Sequence, residues 1–398
     1  MPVHRVLATV VRREVCVTVL AWLSIIGVVN AQMWGGKKAE ETPSAATAPS
    51  AVSAPAEDIA LFPAGLPFHI SEVPSGLANI TAQGCNACHG AVHDAWATSA
   101  HAGAGQSPFF QEALQRAGQS TACVQCHRPI TAQHPRLAAG YIEGDLARPN
   151  LQLNDAFDAT LMAEGVGCAA CHVRDGTIVS TRVVENAPHP VGYSSALGKS
   201  EMCSTCHQLS YPDAKQPFYN TYGEWKETQH AASGMQCQDC HMPTVAAASS
   251  ATRFVGQADH SFSPSLGRAL TVLVNLEDDR VQRGTPLEVG VRLQNTGAAH
   301  HVPTGSPYKT LSFTVTLQTL SGEVLASSSP EVLSRQTSPD APYDTLSDNR
   351  IPAGGEHAFN VSLLVAHNAR AGRVNLVVQA KASQEPEHVL QTIPLELN

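Results

Sequence analysis

Ten of the eleven cysteines in this 398-residue chain belong to one pattern, Cys-x-x-Cys-His, repeated five times: Cys85/Cys88/His89, Cys123/Cys126/His127, Cys168/Cys171/His172, Cys203/Cys206/His207 and Cys237/Cys240/His241. Two thiols three positions apart can each bond a vinyl group of one haem, and the adjacent histidine then binds the iron from one face. Three other readings explain less. A disulfide framework suits an exported protein but has no reason to place His after every second Cys. Structural zinc usually takes two Cys-x-x-Cys pairs per metal, and five leaves one orphaned. A thioredoxin-like motif would occur once, inside a strand–helix pattern. The repeat therefore implies five covalently attached haem c groups, held by those ten cysteines with the five motif histidines on iron.

The motifs start at 85, 123, 168, 203 and 237, so each porphyrin has little chain to itself. Such short segments cannot build an ordinary side-chain core, and the porphyrins must supply much of the buried apolar area. The spacing predicts a pentahaem domain over 62–265 made mainly of short α-helices and long loops. One helix is expected at Gly105–Ala117, with Phe109, Phe110, Ala113 and Leu114 on one face. After about Leu270 the pattern changes to alternating apolar residues between turn signals. Candidate strands are Leu270–Leu276, Leu287–Gln294, Leu311–Leu320, Glu323–Ala326, Ala358–Leu364, Val374–Ala380 and Val389–Leu395, with a tight turn at Ser321-Gly322. Seven short strands predict an all-β immunoglobulin-like sandwich over 266–398.

Residues 1–31 read as an export signal: Arg5, Arg12 and Arg13 precede an apolar run from Val15 to Val29, and small residues end at Ala31. An uncleaved membrane anchor is the alternative reading, although the run is short for a bilayer. Residues 32–61 are an Ala/Pro/Ser-rich linker. Export implies the periplasm or the cell surface, with membrane contact only through residues 1–31 where they are retained. Twenty-five Lys+Arg against 34 Asp+Glu give a formal net charge of −9. That balance argues against nucleic-acid binding, which needs a basic face.

A haem iron with one protein histidine either takes a second ligand or stays open to substrate. Apart from His4 and the motif histidines, twelve of the eighteen histidines remain, more than five irons need. The count favours low-potential bis-histidine haems. His93 follows His89 by four, so on a helix it shares that face and could serve only another haem. His357, His367 and His388 fall among the sandwich strands and read as surface groups, and His69, His134 and His301 carry no positional argument.

Three segments, CNACHGAVHDAWATSAHAGAGQSPFFQEAL, EGVGCAACH and EMCSTCHQLSYPDAKQPFYNTYGEWKETQHAASGMQCQDCHMP, resemble the multihaem cytochrome c family that includes the nitrifier tetrahaem cytochrome and the haem domains of hydroxylamine oxidoreductase. The resemblance covers about residues 80–265. It implies a distal ligand at His101, the end of a W-x-x-S-x-H stretch begun by Trp96, and another at His230, ahead of the CQDCHMP segment. The stretch NTGAAHHVPTG, Asn295–Gly305, resembles an N-x-G-A-G-H-x-x-P-T-G segment of β-domains fused to such cytochromes, with Ala299 in place of a glycine. It implies that His300 reaches back to a haem from a rigid loop. His189 and His260 complete the expected distal set by position.

The leading functional expectation is electron transfer through closely spaced haems to other redox proteins, such as cytochromes and quinol-oxidising or outer-membrane complexes. An acidic surface would steer basic partners. The alternative is an oxidoreductase of a small nitrogen or sulfur compound at one open haem. Pentahaem nitrite reductases, however, end one motif in Lys, and here every motif ends in His. A third possibility makes the sandwich a docking module fed by the haems.

Overall fold

The computed structural model describes residues 58–62, 65–116, 121–144, 148–182, 184, 186–245, 257–263, 265–370, 372–383 and 386–398. The expected export signal and nearly all of the linker lie outside them. Among the described residues no helix is long and apolar enough to cross a membrane.

The C-terminal strands follow from strict alternation. In β1 (Leu270–Leu276), β2 (Pro286–Asn295), β3 (Leu311–Thr319), β4 (Val324–Ser327), β5 (Glu356–Leu364), β6 (Arg373–Ala382) and β7 (His388–Leu397), every second side chain tends to turn inward. Along β2, Leu287, Val289, Val291 and Leu293 are buried, whereas Glu288 and Arg292 are exposed. The order β5–β2–β1 forms one antiparallel sheet, and β4–β3–β6–β7 the core of a second. Their inner faces meet in one apolar core that includes Val289, Leu293 and Leu363 from the first sheet and Phe313, Leu317 and Leu376 from the second. Each observed strand matches a sequence candidate to within two residues at either end. Gly322 makes the β3–β4 turn at φ 90°, a left-handed conformation that suits glycine.

Short pairings escape sequence reading. Arg280–Val281 lies parallel beside β7, Glu331–Leu333 pairs with β3, and Arg335–Thr337 pairs with Thr345–Asp348. Two to four residues are too few for a period of two to register.

Between about 58 and 263 the elements are mostly short. The motifs lie on helices Ala82–Ala97, Thr121–His127, Cys168–His172, Ser200–His207 and Cys237–His241. The helix expected at Gly105–Ala117 spans Pro108–Arg116: the Ser107 hydroxyl accepts from the Phe110 N–H, Pro108 supplies a first-turn φ, and Phe110 and Leu114 are buried. Small sheets occur here too, Arg136–Tyr141 with Pro149–Leu153 and the trio Val173–Arg174, Thr177–Ser180 and Val191–Tyr193. Among the described residues the buried apolar cluster of this part has seven members, Phe68, Ile80, Ile130, Leu161, Ala169, Ala170 and Val173, against twenty-two in the sandwich. So small a cluster leaves most of the interior to something other than side chains.

Arg174 supports this part from within. It is 7% exposed, donates to the backbone carbonyls of Leu61, Ala169, Ala170 and Val173, and lies over the rings of Phe62 and Phe68 at 4.9 and 4.2 Å. One guanidinium thereby fixes the C-terminal end of the third motif helix to the segment at 61–68.

Candidate haem centres

Four of the five motif helices end at their histidine, which lets the ring turn away from the helical row its cysteines share. The first runs on to Ala97 but is broken at His89, whose φ and ψ are −113° and 41°. The kink removes the unbroken helix on which the facing argument for His93 depended. His93 packs instead against Trp96, ring centres 5.7 Å apart.

Backbone acceptors orient the rings. His127 Nδ1 donates to the Ala104 carbonyl at 3.0 Å, His172 Nδ1 to Val179 at 2.9 Å, His260 Nδ1 to Ala258 at 2.9 Å and His300 Nδ1 to His301 at 2.8 Å. A carbonyl at Nδ1 fixes the proton there and leaves Nε2 as a lone-pair donor. Burial lowers the pKa values of His172, His207, His241 and His300, and burial with the charges of His207, His127 and His241 takes His101 down to about 4. The neutral imidazole so favoured is the metal-binding form.

Three motif histidines face a second imidazole. Ring centres are 6.2 Å apart for His172 and His260, 6.3 Å for His207 and His101, and 6.2 Å for His241 and His300. Two imidazoles facing across one metal ion, each nitrogen about 2.0–2.1 Å from it, place their ring centres about 6 Å apart. The interplanar angles of 38°, 60° and 17° differ, as rotation about a metal–nitrogen axis allows. His189 lies within electrostatic reach of His89, which is lowered first by burial and then by that neighbour. His230, on the short helix Gln229–Ala232, is not brought opposite a motif histidine among the described residues. Nor, among the described residues, does an imidazole face His127, whose ring is stacked on that of Phe110 at 3.8 Å and 15°.

The donor set fits haem. Each facing pair would offer two imidazole nitrogens to one haem iron, and among the described residues no group of three or more His, Cys, Asp or Glu is arranged to hold a bare metal ion. A haem held there would supply one-electron redox chemistry.

Thiol contacts set the spatial order. The side chain of Cys85 adjoins that of Cys168, Cys126 adjoins Cys206, and Cys203 adjoins Cys237. Cys171 also lies within electrostatic reach of Cys203 and Cys206. Motif one therefore adjoins three, three adjoins four, and both two and five adjoin four. Phe262 sits within this cluster, its ring 4.4 Å from that of His101 and 6.0 Å from that of His260.

The sandwich holds His300 from both sides of its loop. Asn295 Nδ2 donates to the His300 carbonyl at 2.8 Å, and Asn295 Oδ1 accepts from the Ala298 N–H. From the haem-motif part, Glu224, 6% exposed, accepts from the His301 N–H at 3.1 Å, the Thr304 hydroxyl at 2.6 Å and Arg350 Nη1 at 2.9 Å. The His301 ring Nδ1 lies 3.4 Å from the same carboxylate but outside hydrogen-bond alignment. Burial alone would raise the Glu224 pKa, but His301, Arg350 and Thr304 outweigh it and hold it at about 2. Sequence reading missed Glu224 because its partners lie far along the chain.

A solved structure of a penta-haem cytochrome c552 from Thermochromatium tepidum is similar at 18% identity and a TM-score of 0.54, covering 80% of this chain and 98% of that one. The fold is that of a multihaem cytochrome. A CARDB domain from Pyrococcus furiosus matches 32% of this chain at 14% identity with a TM-score of only 0.20, covering 87% of that chain. No protein-family model matches the chain, and comparison with curated proteins finds no match.

Proposed function

We propose that this protein is an exported pentahaem c-type cytochrome that relays electrons between periplasmic or cell-surface redox partners. The observation that carries this reading is the three imidazole pairs at 6.2–6.3 Å, each joining a motif histidine to one outside the motifs. Such iron is coordinatively closed, and closed haem passes electrons without binding substrate. In this reading Cys85, Cys88, Cys123, Cys126, Cys168, Cys171, Cys203, Cys206, Cys237 and Cys240 carry thioethers. His172 and His260, His207 and His101, His241 and His300, and His89 and His189 serve as axial pairs. Direct thiol contacts between motifs would put porphyrin edges close together, giving a line from one through three to four with branches to two and five. The C-terminal strands act as an immunoglobulin-like sandwich that contributes His300 to the last site.

Secretion of the full chain beside a haem-ligation system tests the reading. Intact mass should exceed that of the polypeptide by five haems, and the ferric protein should be dominated by low-spin signals. A colourless product, or a mass equal to the bare chain, overturns it. A second reading, ligand chemistry at one open haem, is favoured by one observation: among the described residues no imidazole faces His127.

A further inference from the structure

Glu164, Gly165 and Val166, just ahead of the third motif, are tied to the turn that carries His101. The Gly103 N–H donates to the Glu164 carbonyl at 3.0 Å, the Val166 N–H donates to the His101 carbonyl at 3.1 Å, and Ala102 forms an antiparallel bridge with Gly165. Trp96 Nε1 donates to the Val166 carbonyl at 3.0 Å and so pins the end of the helix just before that turn. Buried Gln133, which follows the second motif, donates to the carbonyls of Leu161 and Gly165 at 2.7 and 2.5 Å and accepts from the Ile130 N–H at 2.9 Å. The Glu164 carboxylate accepts from the Ala82 N–H at 2.8 Å, at the start of the first motif helix.

The contact with the turn is close at Gly165. Its φ of 65° and ψ of −118° suit glycine, and a Cβ there would lie 2.4 Å from the Ala104 nitrogen and 3.0 Å from the His101 carbonyl oxygen. Both are backbone atoms, so a side chain enters only if the turn moves. That turn serves two sites at once. It sets the His101 ring 6.3 Å from that of His207, and its Ala104 carbonyl accepts from His127 Nδ1 at 3.0 Å. An acceptor at Nδ1 makes an imidazole a stronger donor to metal, and stronger donation favours ferric over ferrous iron.

We propose that Gly165 is a positioning residue that sets the reduction potentials of the second and fourth haems together, by seating the one turn that presents His101 and the Ala104 carbonyl. The inference rests on the pentahaem reading above and deepens it: two sites of the relay share a backbone support, so their potentials are tuned as a pair.

The test uses the full haem-loaded chain, titrated potentiometrically and followed by absorbance and electron paramagnetic resonance. Gly165→Ala should keep five haems by mass and raise two of the five reduction potentials, leaving the other three at their parent values. The sign follows because a displaced turn draws the Ala104 carbonyl away from His127 and moves the His101 ring relative to His207, and each change weakens donation to ferric iron. Trp96→Phe, which keeps an aromatic ring and removes the bond to Val166, should raise the same two potentials by less. It decides the question by itself should Gly165→Ala fail to accumulate. Five unchanged potentials, a shift confined to one haem, or a uniform drift of all five such as general loosening would give, overturns the proposal while leaving the pentahaem reading intact. A parent mass below five haems defeats that reading itself.

Discussion

His241 and His300 face each other with ring centres 6.2 Å apart and planes 17° from parallel, although one ends a haem-motif helix and the other stands on a loop of the sandwich. In the proposed reading the β-part would complete the last haem site, and the two parts would act as one functional unit.

Replacing His300 separates ligation from folding. His300→Ala should keep five haems by mass but add one high-spin haem to those in the parent protein, seen by electron paramagnetic resonance. His300→Met should remain low-spin and shift one reduction potential upward, because methionine is a weaker donor to ferric iron. An unchanged spectrum in His300→Ala would remove this residue from the iron.

Glu224 should govern acid stability. Its carboxyl is held at about 2 in the folded protein against an ordinary value of 4.5. Its contribution is present in full above the ordinary value and is lost as pH falls toward 2. The depression amounts to roughly 3 kcal/mol. Glu224→Gln should lower stability at neutral pH by about 2 kcal/mol, since Arg350 keeps Asp348 at 2.7 Å. Denaturant midpoints for the two proteins should converge as pH drops from 5 toward 3; parallel curves would show that the carboxylate is not the titrating group.

Arg174→Lys should not be conservative. An ammonium cannot span the four carbonyls that the guanidinium fork reaches, nor lie flat on Phe68. A loss of about 2 kcal/mol or more is expected, with easier proteolysis near Leu61. A melting temperature within error of the parent would contradict this role.

Electron transfer to a small basic redox protein should slow several-fold as ionic strength rises from about 10 mM to 0.15 M, where the Debye length shrinks from about 30 to 8 Å. The net charge of −9 sets that sign. Stopped-flow rates independent of salt would exclude electrostatic steering.

The five motifs and the β-pattern were legible because both are local: a covalent attachment signature lies within five residues, and a strand announces its inner face through neighbours two apart. Leu270–Leu276 could be read to the residue for that reason. The pairings could not. Which imidazole faces His172 depends on where residues 257–263 return, and nothing near His260 records that. His93 shows the same limit, since its expected face required a helix that breaks at His89. Glu224, the Cys85–Cys168 contact and the tyrosines around Cys123 join residues from distant segments, some of them in the sandwich. The sequence by itself determined how many Cys-x-x-Cys-His motifs the chain offers and where it turns to strand, because those depend on neighbours along the backbone. Tertiary structure alone decided which histidines oppose one another among the described residues and in what order the motifs touch, because those depend on packing between segments with no shared local pattern.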